Sequence, residues 1–148
     1  YDLDDGAFAP AAEYLYLAQP DQDVSDIAAI SDDALLVLER GVTLIDGFSS
    51  RIFRVELDDA EDVAEIERLE ESDAAPVEAE LLVDVADCPS GDLETFGGFN
   101  PLLANFESMA IGPLQADGRQ TLIIGSDDDF ESFLVTRYLI FAVDPPRF

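Results

Sequence analysis

The apolar residues of the chain fall into short runs, and several of these runs alternate with polar positions. Residues 51–57 alternate polar and apolar side chains, which is typical of a half-buried β-strand. Residues 26–30 and 34–40 are apolar-rich runs separated by Ser31, Asp32 and Asp33, and this arrangement predicts a hairpin. Further runs predict strands at residues 14–18, 81–85, 107–111, 120–124 and 138–143. The pattern therefore predicts an all-β fold.

Residues 58–80 are the ambiguous part of this pattern. Val63, Ile66 and Leu69 recur at helical spacing, so a short surface helix is one interpretation. The many acidic side chains in the segment equally suit a solvated loop, and we favour the loop.

The strand pattern occurs twice along the chain. In residues 26–57 and again in residues 107–143, a short strand leads by a turn to a second strand that ends in charged residues. A loop then leads to a third strand that begins near an Arg. Repeated small antiparallel sheets are typical of a β-propeller, in which one blade takes about 40–50 residues.

Chain length sets how much of a propeller can be present. A chain of 148 residues holds about two to three blades, whereas a closed propeller needs at least about four. We therefore predict a partial β-propeller of about two to three blades of antiparallel strands. Residues 1–148 are interpreted as a single propeller segment, a fragment of a larger domain whose remaining blades are missing from this chain. A compact β-sandwich of roughly seven or eight strands is the alternative.

The charge balance limits the partners. The chain has 34 acidic residues against 7 basic ones, for a formal net charge of −27, while 48% of its residues are apolar, as in a globular protein. Such a surface repels nucleic acid and anionic membranes, and we expect neither a nucleic-acid partner nor membrane insertion. A halophilic-type, solvated surface accounts for most of these carboxylates. An anionic substrate would need a metal ion between itself and the protein.

Two residue counts exclude common chemistry. The chain contains no His, which excludes Ser-His-Asp catalysis and the usual zinc sites. Its single cysteine, Cys88, cannot form an intrachain disulfide, and without a His to activate it we interpret it as an incidental thiol.

Glu107 and Arg40 are the candidate catalytic residues. Glu107 opens an apolar strand after an Asn-Phe pair. Inner strands line the channel of a propeller, so Glu107 can act there as a metal ligand or a general base. The alternative is that Glu107 pairs with an Arg such as Arg40 and holds neighbouring blades in register. Arg40 ends a strand and can bind a phosphate or carboxylate in a bidentate way, although an ion pair between strands is its simpler role.

An acidic run and one further carboxylate are the candidate metal ligands. Asp127, Asp128 and Asp129 offer hard oxygen atoms that suit Ca²⁺ or Mg²⁺, but their spacing is not that of an EF-hand, and acidic runs are usually solvated turns. Asp26 begins the first strand of its repeat as Glu107 begins its counterpart, which makes it a candidate for the same polar rim. These four aspartates predict Ca²⁺ or another divalent cation as the cofactor.

An ordered series of segments resembles the phytase-like family of β-propellers, known as the domain with esterase-like activity of phytase. Two of the matching segments are Asn-Phe-Glu-Ser-Met-Ala-Ile-Gly-Pro at 105–113 and Ser-Asp-Asp-Asp-Phe at 126–130, and the ordered series of segments is more specific than any one of them. The others are residues 35–41, 51–57, 76–85 and 117–124. The resemblance runs from about residue 27 to residue 143 and corresponds to the C-terminal half of that domain.

Two positions depart from the family pattern. Family members usually have Gly where this chain has Ser108, and Asn where it has Asp129. The first departure is expected to crowd a tight backbone position. The second adds a charge to the acidic rim.

The resemblance implies a function and a location. It implies hydrolysis of a small-molecule phosphate ester or other ester in an exported protein, periplasmic or extracellular. The expected mechanism is metal-assisted, with divalent cations that neutralise phosphate charge and activate water. Because a fold does not fix a function, the alternative is a non-catalytic propeller that serves as a binding or scaffold module with structural cations.

Overall fold

The computed structural model describes residues 2–4, 7–43, 47–93, 99–132 and 134–144. Within these ranges the regular structure is almost entirely β, apart from two single 3-10 turns at Leu69–Glu71 and Val85–Asp87. The strands, numbered in chain order, are β1 (Asp2–Asp4), β2 (Ala7–Ala9), β3 (Asp23–Ala29), β4 (Ala34–Thr43), β5 (Gly47–Glu56), β6 (Ala79–Asp84), β7 (Phe106–Leu114), β8 (Gln120–Ser126) and β9 (Tyr138–Val143).

The strands form antiparallel sheets in which every neighbour in space is also the neighbour in sequence. The largest sheet has the order β3-β4-β5-β6, the second has the order β7-β8-β9, and β1 pairs with β2. An immunoglobulin-like sandwich instead exchanges strands between sheets through Greek-key connections. The all-β prediction is confirmed, and the two consecutive meanders are consistent with part of a β-propeller.

The predicted hairpin is present. β3 and β4 pair in antiparallel register from Ala29 opposite Leu35 down to Asp23 opposite Arg40, with an irregularity between Val24 and Asp26. β4 continues the meander into β5, so both of its neighbours are supplied by adjacent chain segments. Six of the ten positions of β4 are buried and one is exposed, as expected for an inner strand of a sheet.

One apolar cluster joins the two larger sheets. Alternation along a strand sends every second side chain to the same face, and this places Leu36 and Leu38 of β4 together in the cluster. The second sheet contributes Leu122 and Ile124 of β8, which are likewise fully buried. Phe106, the first residue of β7, lies fully buried in the same cluster and fixes the point where the second sheet begins.

β3 and β7 form the hydrogen-bonded seam between these sheets. The Asp26 carboxylate accepts the backbone N–H of Met109 at 2.6 Å. The Ser25 hydroxyl lies 3.2 Å from both the Leu38 and Phe106 carbonyl oxygens, one in each sheet. This seam brings Arg40 of β4 close to the start of β7.

The strand predicted at residues 14–18 is wrong. The segment is irregular, and its backbone makes isolated hydrogen bonds: Glu13 accepts from Val63, and Leu15 accepts from Val77, each at 2.8 Å. A ladder cannot form because the segment carrying Val63 and Val77 is itself irregular. Residues 58–78 are, as favoured above, a loop, with Leu69–Glu71 as its one short helical turn.

Candidate functional site

The pairing of β7 with β8 explains why acidic residues distant in sequence come together. The two strands are antiparallel, and Phe106 at the start of β7 lies opposite Ser126 at the end of β8. The loop that follows β8 is therefore placed beside the residues around the start of β7. A backbone hydrogen bond from Asp127 N–H to the Asn105 carbonyl, at 3.0 Å, closes this junction.

Three carboxylates converge at the junction, and we call them the acidic cluster: Glu107, Asp127 and Asp129. One carboxylate oxygen from each lies within 4.8 Å of the others. Glu107 is half-buried, whereas Asp127 and Asp129 are exposed. Carboxylate oxygens at this spacing are the hard ligands that Ca²⁺ and Mg²⁺ prefer.

The loop after β8 is shaped by its own aspartates. The Asp127 carboxylate accepts the Asp129 N–H at 3.1 Å, and the Asp128 carboxylate accepts the Phe130 N–H at 3.0 Å. Asp129 and Phe130 have φ of 48° and 58°, in the left-handed region. Asn and Asp tolerate this region better than other non-glycine residues. The backbone therefore favours Asn or Asp at position 129.

Asn105 supports the cluster from beneath. It is only 3% exposed, and its Nδ2 donates to Glu107 Oε1 at 3.1 Å and to Asp129 Oδ2 at 2.9 Å. Its Oδ1 is buried and has no hydrogen-bond partner among the described residues. Buried amide oxygens are seldom left unsatisfied. Sequence analysis gave this residue no role; the signal available was its place two positions before Glu107.

Arg40 reaches the cluster from the other sheet. Its Nη2 lies 3.0 Å from Glu107 Oε1, and the two side chains are 30% and 35% exposed. The ion pair that the sequence offered as one role for these residues is thus present. It joins β4 to the start of β7. The prediction that Arg40 ends its strand is wrong, because β4 stays paired with β5 as far as Thr43 opposite Gly47.

Arg40 is not fully satisfied by this pair. In the part of the chain that the structure describes, its buried Nε lacks a hydrogen-bond partner, as does the buried Oγ of Ser50. Ser50 is the residue of β5 directly opposite Arg40. Unused donors therefore lie around the guanidinium.

The structure does not bring Asp26 and Asp128 into the acidic cluster. Both oxygens of Asp26 accept backbone N–H groups, Oδ1 from Ile27 at 2.8 Å and Oδ2 from Met109 at 2.6 Å. Asp128 bonds within its own turn through the Phe130 N–H. Asp26 lies beneath the backbone that carries Glu107, and Asp128 shapes the loop that carries Asp129.

Glu39 is a buried carboxylate on the opposite face of β4. It is 0% exposed, and it accepts the Tyr16 hydroxyl at 2.6 Å and the Gln19 N–H at 3.2 Å. Consecutive strand residues point to opposite faces, so Glu39 faces away from the site that Arg40 reaches. Burial, followed by the hydrogen bond to Glu39, raises the pKa of Tyr16. The Tyr16–Glu39 hydrogen bond holds the irregular segment before β3 against the β3-β4-β5-β6 sheet.

Ser108 fits its strand without strain. It lies opposite Gly125 in the β7–β8 register, and its hydroxyl donates to the Gly125 carbonyl at 3.2 Å. A side chain at Gly125 would come within 2.7 Å of the Ser108 Oγ. The crowding expected at position 108 is avoided because the facing residue has no side chain.

The donor set of the site fits a hard divalent cation. Three carboxylates meet there, and Asn105 presents its Nδ2, not its Oδ1, to two of them. The formal charge of the acidic cluster with Arg40 is −3 + 1 = −2, which a divalent cation balances.

Fold and site together define an all-β protein of consecutive antiparallel sheets with an acidic, Arg-flanked rim. The family model described as "Phytase-like: Esterase-like activity of phytase" matches residues 1–130. The chain belongs to this phytase-like family. No significant match was found among curated proteins or among solved structures. In the described ranges, no helix has the length and apolar character needed to span a membrane.

Proposed function

We propose that the chain carries the rim of a phosphate-ester hydrolase site that works with a divalent cation, most simply Ca²⁺. The observation that carries the proposal is the meeting of three carboxylates and one arginine: Glu107 lies in the acidic cluster and 3.0 Å from Arg40. A protein with a net charge of −27 repels a phosphate ester unless positive charge is placed at the point of contact. The family assignment supports the same class of activity.

Each residue has a proposed task. Glu107, Asp127 and Asp129 hold the cation, and Arg40 binds the phosphate group of the substrate through its guanidinium donors. A divalent cation bound there would neutralise phosphate charge and make a bound water more acidic. Glu107 is the least exposed of the three carboxylates, and the alternative to its role as a metal ligand is that of the general base.

Asp26 and Asp128 are proposed as positioning residues of the same rim. Asp26 holds the Met109 N–H two residues after Glu107, and Asp128 holds the turn that follows Asp129. Both act on the backbone that carries a cluster carboxylate. Neither has to contact the substrate.

The activity is tested with a chromogenic phosphate monoester, with added Ca²⁺ and with a chelator. We expect Ca²⁺-dependent hydrolysis that falls at least about a hundredfold in Glu107→Gln, since a misplaced metal or a lost base costs several kcal/mol of transition-state stabilisation. Asp117→Asn is the matched control, because Asp117 is an exposed carboxylate paired with Arg119 in the β7–β8 turn. Absence of hydrolysis under every metal condition would remove the enzymatic claim.

A second candidate function is a non-catalytic binding or scaffold module with structural cations. It is favoured by the placement of Arg40–Glu107 and Asp26–Met109, since both contacts tie one sheet to the other. Substitution of Glu107 and Asp127 separates the two candidates. Under this alternative both changes lower the free energy of unfolding and leave any measured hydrolysis unchanged.

We also propose that the protein is exported, in keeping with the phytase-like family. Export would expose the cluster to the millimolar calcium at which extracellular sites of modest affinity fill, about 10⁻⁴–10⁻³ M. Fractionation of cells that express the whole gene tests this location. Recovery of the protein from the cytoplasm alone would contradict it.

A further inference from the structure

Glu107 serves two positive partners, and this points to a regulated exchange at the site. We propose that Arg40 is an internal counter-ion that competes with the cation for Glu107. When the cation takes Glu107, Arg40 is released to bind the anionic phosphate group, so that cation and phosphate bind cooperatively. The inference rests on the proposed function and specifies how its two ligands are coupled.

A buried amide with an unsatisfied oxygen atom lies against the acidic cluster. Asn105 is only 3% exposed, and its Nδ2 donates to two of the three carboxylates. Its Oδ1 has no hydrogen-bond partner among the described residues. An amide rotated about its last torsion would present the oxygen to the cluster instead of the nitrogen, which suits a bound cation and not an empty acidic group.

Arg40 and Asn105 share one carboxylate oxygen of Glu107. Glu107 Oε1 accepts Arg40 Nη2 at 3.0 Å and Asn105 Nδ2 at 3.1 Å. The same carboxylate belongs to the cluster whose ligand atoms lie within 4.8 Å of one another. A cation bound to Glu107 therefore meets the positive charge of Arg40 nearby, and the two repel each other.

Arg40 has an unused hydrogen-bond donor among the described residues. A guanidinium has five N–H donors, and the Nε of Arg40 is one that has no partner within the described residues. Its side chain is 30% exposed, so the group can turn outward. Arg binds phosphate oxygens through such paired donors.

These observations predict a reciprocal effect. If a cation displaces Arg40 from Glu107 and the freed Arg40 binds phosphate, then phosphate must raise cation affinity by the same factor as the cation raises phosphate affinity. Removal of Arg40 should tighten cation binding in the absence of phosphate, because the competitor is gone. A purely structural Arg40 predicts the opposite, since its loss would loosen the start of β7.

The experiment is a calorimetric titration of the whole chain with Ca²⁺, with and without inorganic phosphate, below the concentrations at which calcium phosphate precipitates. The variants are Arg40→Gln and Arg40→Lys. Arg68→Gln is the matched control, because it removes the same charge from an exposed ion pair with Glu71. Heat from unrelated surface carboxylates is identified with the double variant Glu107→Gln/Asp127→Asn, and thermal unfolding checks that each variant is folded.

We expect Arg40→Gln to bind Ca²⁺ roughly five- to tenfold more tightly than wild type, as loss of one nearby positive charge at a partly exposed site allows. The Ca²⁺ affinity of Arg68→Gln and of Arg40→Lys should stay within about twofold of wild type, because both variants keep a positive charge beside Glu107. Phosphate should raise the Ca²⁺ affinity of wild type, and this rise should vanish in Arg40→Gln.

The inference and the proposed function fail in different ways. Unchanged or weaker Ca²⁺ binding by folded Arg40→Gln, or an equal phosphate effect in that variant and wild type, overturns the exchange and leaves the cation site intact. Absence of any Ca²⁺ binding that depends on Glu107 and Asp127 overturns both. If Arg40→Gln does not fold, the phosphate effect in wild type and its weakening in Arg40→Lys decide the question.

Discussion

At the residue scale, Asp129 combines a backbone requirement with a charge. Its φ of 48° favours Asn, Asp or Gly, and its carboxylate belongs to the acidic cluster. An Asn at this position would satisfy the first property and lose the second. Position 129 therefore allows the conformation of the loop and the charge of the site to be separated.

Substitution of Asp129 is expected to show this separation. Asp129→Asn should leave the melting temperature nearly unchanged and weaken Ca²⁺ binding by on the order of tenfold, because one charged ligand becomes neutral. Asp129→Val should also lower the free energy of unfolding by about 1–2 kcal/mol, because a β-branched residue is strained at positive φ. Thermal unfolding and calcium titration of both variants are the measurements. Equal stability of the two variants would contradict the backbone argument.

Tyr16 and Glu39 give a second prediction at the residue scale. Tyr16→Phe removes a hydroxyl donor at 2.6 Å from a carboxylate that is 0% exposed, and should cost about 1–3 kcal/mol of unfolding free energy. Tyr14→Phe is the matched control, since Tyr14 is 40% exposed. Chemical denaturation at neutral pH compares the two variants. An equal loss of unfolding free energy in the two variants would show that the Tyr16–Glu39 hydrogen bond does not stabilise the fold.

The same pair predicts a pH dependence. The pKa of Tyr16 is raised in the folded protein, chiefly by burial, whereas an unfolded tyrosine ionises near pH 10. The folded state therefore keeps its proton where the unfolded state loses it, so this contribution is complete below about pH 10 and declines above it. Denaturation between about pH 8 and pH 11 should show a steeper loss in wild type than in Tyr16→Phe. Parallel profiles would contradict the assignment.

At the scale of elements, the seam between β3 and β7 positions the site. Asp26→Ala leaves the Met109 N–H without its acceptor at 2.6 Å and should cost about 1–3 kcal/mol. Asp32→Ala, in the exposed turn between β3 and β4, is the control and should change the stability by less than about 0.5 kcal/mol. Thermal and chemical unfolding of the two variants test the seam. Similar stability of both would mean that the hydrogen bond is replaced by water.

The elements also show what a sequence can and cannot reveal. β4, β8 and β9 were predictable because each contains a compact apolar run, and β5 because residues 51–57 alternate polar and apolar side chains. Residues 14–18 have the same local pattern, but within the described ranges no strand forms a backbone ladder with them.

Other contacts at the site depend on pairings between segments that are distant in sequence. Glu107 and the run from Asp127 to Asp129 could be selected by residue type, because carboxylate oxygens are the hard ligands that Ca²⁺ and Mg²⁺ prefer. The contribution of Asn105 depends on the β7–β8 register, and that of Asp26 depends on the packing of two sheets. Local patterns do not specify such contacts.

At the scale of the whole molecule, the net charge of −27 dominates. The carboxylates repel one another in the folded state, and salt shortens the range of this repulsion from about 10 Å at 0.1 M to about 3 Å at 1 M. The melting temperature should therefore rise between these two NaCl concentrations, and KCl should act alike. A melting temperature that falls with salt would show that attractive ion pairs, not repulsion, govern stability.

The measurement that most directly tests the account is a calcium titration of the wild-type chain and two double variants. Glu107→Gln/Asp127→Asn removes two carboxylates of the acidic cluster, and Asp32→Asn/Asp117→Asn removes the same charge from exposed turns. The account predicts one Ca²⁺ site per chain that is lost in the first variant and kept in the second. Equal calcium binding by the two variants, or none by wild type, would contradict it.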